Sequence, residues 1–328
     1  VTTRASAPVR LDLAGGWTDV PPYSTRVGGF VVTASVELFA HAEVAPRDQG
    51  YRLVARDLGA EVELAGPAEL PGPDLPLLRA GLRLLPPGPC TLTTRADALP
   101  GSGLGSSGAM DVALVAALSA ARSESPDTRT IADLACRLEG VEAGIPGGRQ
   151  DQFAAAFGGF LRLEFRDPGA AVQPLVLGAD LCAELARRML LVYTGASRFS
   201  GATIGRVMTG YERGDRAIHA ALDGIRGVAE AMPAALCAAD FARVGELLSA
   251  NWRLQQALDP AMCTAEMARL ERAMHDAGVL GGKAAGSGAG GSMFFLGPDD
   301  PGPAAAAARE LGMRLLPVRW AMEGVRRC

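Results

Sequence analysis

The chain has 328 residues, a net charge of −4 and 48% hydrophobic side chains, enough for one large domain or two ordinary ones with a sizeable core. The mildly acidic balance argues against a nucleic-acid partner. The six cysteines lack CxxC spacing and the three histidines lack an HExxH pattern, which argues against a zinc centre or a disulfide framework and fits a reducing cytoplasm. Nor does any apolar run reach membrane-spanning length, so a cytoplasmic setting with no membrane partner is expected.

In chain order, the first feature is a strand that carries Arg10 and ends at a tight Gly15-Gly16 turn. Trp17, Thr18, Asp19 and Tyr23 follow it. An aspartate beside aromatic surface is a common way to hold sugar hydroxyls. Short β-rich pieces divided by glycine and proline are predicted as strands over 30–36, 51–55, 61–64 and 90–96. Next comes a glycine- and serine-rich loop: Gly101, Ser102, Gly103, Leu104, Gly105, Ser106 and Ser107. It flows into an apolar helix expected over 107–122. Backbone N–H groups of such a loop, with the dipole of the helix behind it, make an anion cradle. A second helix is expected over 130–143, with Glu139 late in it. Then a glycine turn containing Gly148 and Arg149 leads to a helix start near Gln150 and Asp151. A carboxylate there is also what a helix N-terminus favours for simple electrostatic reasons.

Strands are expected over 160–165 and 172–177, a short helix over 183–189 and a buried strand over 190–193. The polar segment after that strand contains Arg198. Long helical periodicity fills 201–277. All but one of the 32 basic residues are arginines, and the exception, Lys283, opens a second glycine-rich run with Gly286, Gly288 and Gly290. Gly286, Gly288 and Gly291 form a literal GxGxxG. The strand-like stretch 292–296 that follows it excludes a dinucleotide fingerprint, which needs a helix there. A helix over 303–311 and a strand over 314–320 end the pattern. The mixture is α+β rather than regularly alternating. A domain break is expected between 160 and 180, dividing the chain into 1–165 and 166–328.

Three ordered motifs, Arg10 to Asp19, the loop at residues 100–109 and the run from Lys283 to Gly291, together resemble the galactokinase–homoserine kinase–mevalonate kinase–phosphomevalonate kinase (GHMP) superfamily. The turn Gly15-Gly16-Trp17-Thr18-Asp19 and the string Arg149-Gln150-Asp151-Gln152 resemble the branch that holds heptose 7-phosphate kinases and the kinase part of L-fucokinases. Galactokinases carry Gly-Glu-His where this chain has Gly16-Trp17, which points away from galactose. The resemblance implies a two-domain GHMP kinase fold. Its N-terminal domain would be like ribosomal protein S5 domain 2, with a left-handed crossover, and would be followed by an α+β C-terminal domain. It implies ATP under the loop Gly101 to Ser107, Mg²⁺ held by Ser107 and Glu139, Asp151 as catalytic base, Arg10 as its cationic partner, and Asp19 on the sugar. Lys283 matches a frequent family lysine without an assigned role.

The reaction implied is ATP-dependent phosphorylation of an anomeric hydroxyl, with D-glycero-D-manno-heptose 7-phosphate the leading acceptor and L-fucose the alternative. A sugar phosphate would need an extra cationic pocket, for which Arg149 and Arg198 are the candidates. The protein would act as a monomer or homodimer. A non-catalytic sugar and ATP sensor is a further alternative, disfavoured because Ser107, Glu139 and Asp151 are all present.

Overall fold

The computed structural model describes residues 1–167, 169–195 and 201–327. The chain opens with β1 (Thr3–Ala14), α1 (Tyr23–Arg26), β2 (Gly29–Pro46), β3 (Tyr51–Ala55), β4 (Ala60–Leu64), α2 (Pro76–Leu84) and β5 (Cys90–Ala96). It continues with α3 (Ser106–Ala121), α4 (Thr128–Arg137), α5 (Gln150–Phe157), β6 (Phe160–Arg166), β7 (Gly169–Pro174), α6 (Ala179–Arg188) and β8 (Met189–Tyr193). A helical stretch follows, α7 (Gly201–Glu212), α8 (Arg216–Cys237), α9 (Phe241–Leu258) and α10 (Ala265–Asp276), then β9 (Gly281–Ala284), β10 (Ser292–Leu296), α11 (Gly302–Glu310), β11 (Arg314–Leu316) and β12 (Arg326–Arg327).

Two sheets organise these elements. The first runs β12-β1-β2-β5-β3-β4, with β6 and β7 added where β2 is long enough to serve two neighbours. Residues 40–46 of β2 pair with β5, and residues 29–34 pair with β6. All its pairings are antiparallel except β3 with β5. The second sheet, β11-β8-β10-β9, is wholly antiparallel. The sheets do not part the chain at a single point. β7, beyond residue 165, is still hydrogen bonded to β6, and β12 returns to β1 from the far end.

α3 is apolar on every side, which suits a helix buried all round, and its residues from Gly108 to Ser119 are all buried. It packs on β1 and β2 beside α5. Apolar residues of both sheets, among them Leu11, Val32, Leu191 and Phe294, join in one continuous core. Two smaller clusters flank it. One gathers Trp17, Val20 and Tyr23 against α7 and α8, and the other sits between the second sheet, α10 and α11.

Several expectations shift. β2 is much longer than 30–36, and α2 had no counterpart in the sequence pattern. The helix expected over 130–143 ends as α4 at Arg137, where the bonding widens and the Ala143 N–H reaches back five residues to the Leu138 carbonyl at 2.9 Å. Such wide turns inside helices recur at functional sites, and Glu139 lies within this one. The strand expected over 314–320 is confined to β11, with Trp320 bridging to Val36 on the first sheet.

Candidate active site

A cleft of about 450 Å³ opens where the three sequence motifs converge. One wall is the loop Gly101 to Ser107 and the N-terminus of α3, entered through Gly105 in a left-handed conformation (φ 75°). The first N–H groups of a helix have no partner within it, so they and the dipole favour an anion at this end. The run Gly286 to Gly290 between β9 and β10 forms an adjoining wall. The two loops meet backbone to backbone. A Cβ on Gly286 would stand 2.6 Å from the Gly103 carbonyl oxygen, so only glycine permits the approach. The Ser292 N–H closes the seam by donating to the Ser102 carbonyl at 2.8 Å. The GxGxxG spacing therefore serves loop packing, and a strand follows it.

Arg10 ties the motifs together. Its side chain is buried on β1. Nε donates to Asp151 Oδ1 at 2.8 Å, while Nη1 donates to the carbonyls of Gly103 at 2.8 Å and Ala285 at 2.9 Å. The Arg10 backbone N–H donates to the Leu104 carbonyl, and Leu104 itself is core. One guanidinium thus reads the positions of both glycine loops and of α5. The Asp151 side chain stays 27% exposed, toward the cleft.

The first three residues of α5 each engage a different part of the site, as successive helical residues must, being turned by about 100° from one another. Gln150 meets Asp19, Asp151 meets Arg10 and Gln152 meets Glu139. No side chain next to the start of α5 in sequence caps it. Asp19 does so from a distance, Oδ2 accepting the N–H groups of Arg149 at 2.8 Å and Gln150 at 2.9 Å. A Cβ on Gly148 would collide with that carboxylate. Burial pushes the Asp19 carboxyl up to about 6, against the downward pull of the Gln150 N–H. Its Oδ1, with only a 3.4 Å contact to Gln150 Nε2, is the oxygen left for a ligand on the cleft.

At the other end of the cleft the Ser107 hydroxyl donates to Glu139 Oε1 at 2.6 Å, and Gln152 Nε2 donates to Glu139 Oε2 at 2.6 Å. Burial raises the Glu139 carboxyl above its ordinary range. The hydroxyl and amide bonds oppose that rise, and the charge of Asp151 adds to it. A hydroxyl that gives its proton to a carboxylate keeps its lone pairs for a cation, so this corner offers hard oxygen ligands next to the anion cradle.

Five candidates from the sequence do not reach the cleft with their side chains, the core residue Leu104 being one of them. Thr18 is buried under the turn, donating to the carbonyl of Gly15 and accepting the Phe30 N–H at 3.0 Å; it buttresses the loop. Tyr23 is fully buried, with its hydroxyl donating to Asp223 at 2.7 Å. Arg149 turns its guanidinium over the Phe165 ring, 5.2 Å from the centroid, away from the cavity. Lys283 is fully buried behind the cleft, donating from Nζ to Asp12 Oδ2 and to the Asp12 carbonyl at 2.7 Å each. Arg198 lies outside the described residues. Trp17 does line the cavity, with φ 84° and a buried indole N–H that has no partner among the described residues.

Sequence reasoning missed Asp12, Gln150, Gln152 and Asp111. Asp12 lines the cavity and accepts the Gly16 N–H. Asp111, fully buried on α3, accepts from Gln152 Nε2 at 3.2 Å, and burial raises its carboxyl well above the usual range. An acid inside the otherwise apolar run 110–118 was the signal available for it.

Known proteins share the fold and match the chain in sequence. The GHMP kinases N terminal domain matches residues 77–159 and the GHMP kinases C terminal matches residues 232–313. D-glycero-alpha-D-manno-heptose 7-phosphate kinase of Campylobacter jejuni is 32% identical over 305 residues, covering 90% of this chain and 89% of that protein. The bifunctional fucokinase/GDP-fucose pyrophosphorylase of Arabidopsis thaliana is 28% identical over 95% of this chain and 31% of its own length. The crystal structure of a D-glycero-D-manno-heptose 1-phosphate kinase from Bacteroides thetaiotaomicron superposes with a TM-score of 0.80 at 26% identity, covering 99% of this chain and 98% of that one. Fold, both family regions and the similarity along nine-tenths of the chain agree, and the chain belongs to the GHMP kinase family.

Proposed function

We propose that the protein transfers the terminal phosphoryl group of ATP to the anomeric hydroxyl of D-glycero-D-manno-heptose 7-phosphate. The observation that carries this reading is the Arg10–Asp151 pair, held at 2.8 Å between the two glycine loops with Asp151 open to the cleft. Asp151 accepts the proton of the sugar hydroxyl as its oxygen bonds to the γ-phosphorus and the bond to the departing ADP oxygen breaks. Arg10 fixes the carboxylate and sets positive charge beside the phosphoryl group in flight. The N–H groups at the start of α3 and of the loop before it receive the nucleotide phosphates. Asp19 Oδ1 is placed to meet the sugar, with Trp17 lining the same cavity.

The corner at Ser107 and Glu139 fits Mg²⁺, because its donors are hard oxygens beside a phosphate cradle. When bound, the ion would neutralise charge on the nucleotide phosphates. Similarity to a heptose 7-phosphate kinase supports the choice of acceptor, and similarity to a fucokinase along 95% of the chain keeps L-fucose as the second reading. On sequence grounds the cationic pocket for a 7-phosphate is assigned to Arg198.

An ADP-release assay over heptose 7-phosphate, unphosphorylated heptose, L-fucose and galactose tests the reading. Heptose 7-phosphate should give the highest kcat/KM, and Arg198→Ala should raise KM for that sugar alone. Preferred turnover of L-fucose would replace the first reading by the second. ADP release with none of the sugars would overturn both.

A further inference from the structure

We propose that Gln152, anchored on Asp111, is a positioning residue that sets the Glu139 carboxylate for the divalent cation of the nucleotide. The inference rests on the nucleotide-kinase reading above and extends it to residues that touch neither sugar nor phosphate.

Glu139 sits on the widened turn after α4, where backbone bonding is irregular, so its orientation must come from side chains. Two hold it. Ser107, from the phosphate loop side, takes Oε1, and Gln152, from α5, takes Oε2, both at 2.6 Å. A primary amide presents two donors on nitrogen and an acceptor on oxygen. Turned over, Gln152 would aim its carbonyl oxygen at Glu139 and repel it. Asp111 Oδ2, 3.2 Å from the same Nε2, favours the donor orientation. Both residues are essentially inaccessible to solvent, so water does not compete for either group. The remaining buried oxygens, Asp111 Oδ1 and Gln152 Oε1, have no partners among the described residues.

The arrangement also couples two functions in one rigid element. Asp151 and Gln152 are neighbours in the first turn of α5, so a shift of this helix moves the base and the cation ligand together. A second-layer partner of this kind fixes ligand orientation and tunes affinity.

Binding of Mn²⁺ in the presence of ADP, followed by the electron paramagnetic resonance signal of free Mn²⁺, tests the assignment without any sugar. Gln152→Met keeps the side-chain volume and deletes the amide. It should weaken Mn²⁺ binding by about tenfold or more, the scale of lost outer-layer partners. Asp111→Ala frees the amide to turn and should weaken binding in the same direction. Asp111→Asn, which can still accept from Gln152 Nε2, should restore it. KM for the sugar should stay within about twofold in all three, as expected for groups remote from it. Wild-type Mn²⁺ affinity in Gln152→Met, or in Asp111→Ala should the methionine variant not fold, would overturn the proposal. A protein that binds Mn²⁺ with ADP yet releases ADP with no sugar would instead reject the acceptor reading and leave this inference standing on its own measurement. Failure of the unaltered chain to bind Mn²⁺ with ADP would reject both.

Discussion

Asp151 and Asp19 are both carboxylates on the cleft, and their surroundings divide the work between them. Asp151 has one oxygen on the Arg10 guanidinium and remains partly exposed, which suits a group that must meet a substrate proton. Asp151→Asn keeps the shape and removes the proposed proton acceptor. Turnover should fall by about 10² or more, with the ATP KM nearly unchanged in steady-state kinetics. Asp19 is buried and bonded to backbone, and its consequence is a pH dependence. The folded carboxyl keeps its proton up to about 6, against 3.8 for the ordinary group. Between those values the folded chain holds more protons than the unfolded one. Stability is therefore greatest below the lower value and is lost as pH rises through the upper one. Asp19→Asn retains an acceptor for the Arg149 and Gln150 N–H groups and carries no charge. Compared with wild type by urea unfolding, it should be more stable at pH 7.5 by on the order of 2 kcal/mol, and the gap should shrink towards pH 4. A gap that is constant with pH would show that Asp19 does not titrate as its burial demands.

At the scale of elements, the site depends on how closely α3 and α5 approach. Gly108, in the first turn of α3, faces Asp151, and a Cβ there would collide with the Asp151 Cβ. Gly108→Ala should push α5 away, destabilise the fold by about 1–3 kcal/mol and lower kcat by loosening the Arg10–Asp151 bond. Gly227, on the exposed side of α8, has no atom within 4 Å of an added Cβ. Gly227→Ala is the matched control, with unfolding midpoint unchanged or raised. The same contrast explains what the sequence made legible. The loop into α3, β10 and the start of α5 could be read because glycine clusters and apolar periodicity are local signals. α2 could not, since its short pattern lies between proline- and glycine-rich flanks. Arg10 and Asp151 could be paired only by family resemblance, as 141 positions separate them. The faces of Thr18, Tyr23, Arg149 and Lys283 were invisible for the same reason. Residue type shows that a side chain can bind a ligand, but its direction is set by partners such as Asp223 and Asp12 far along the chain.

Across the whole molecule, the two sheets are joined by a buried charge pair as well as by apolar packing. Lys283 on β9 reaches Asp12 on β1 at 2.7 Å, with both groups excluded from water. The Lys283 ammonium also lies 5.6 Å from the centroid of the Phe294 ring. Asp12 in turn accepts the Gly16 N–H, so the pair sets the turn that carries Trp17 into the cleft. Desolvating two charges costs about as much as their attraction returns, so such a pair need not stabilise the fold relative to apolar residues of the same size. Breaking it is a different matter. Lys283→Met leaves the Asp12 carboxylate buried with no counter-charge and should cost about 3–5 kcal/mol in urea unfolding. Asp12→Asn combined with Lys283→Met removes the stranded charge and should recover a large part of that loss. The double variant should still show a raised sugar KM, because the tie between β9 and the turn after β1 is gone while the Arg10–Asp151 pair is intact. If the double variant is no more stable than Lys283→Met alone, the lysine contributes through packing on Phe294 rather than through charge, and the coupling of the two sheets at this point is apolar.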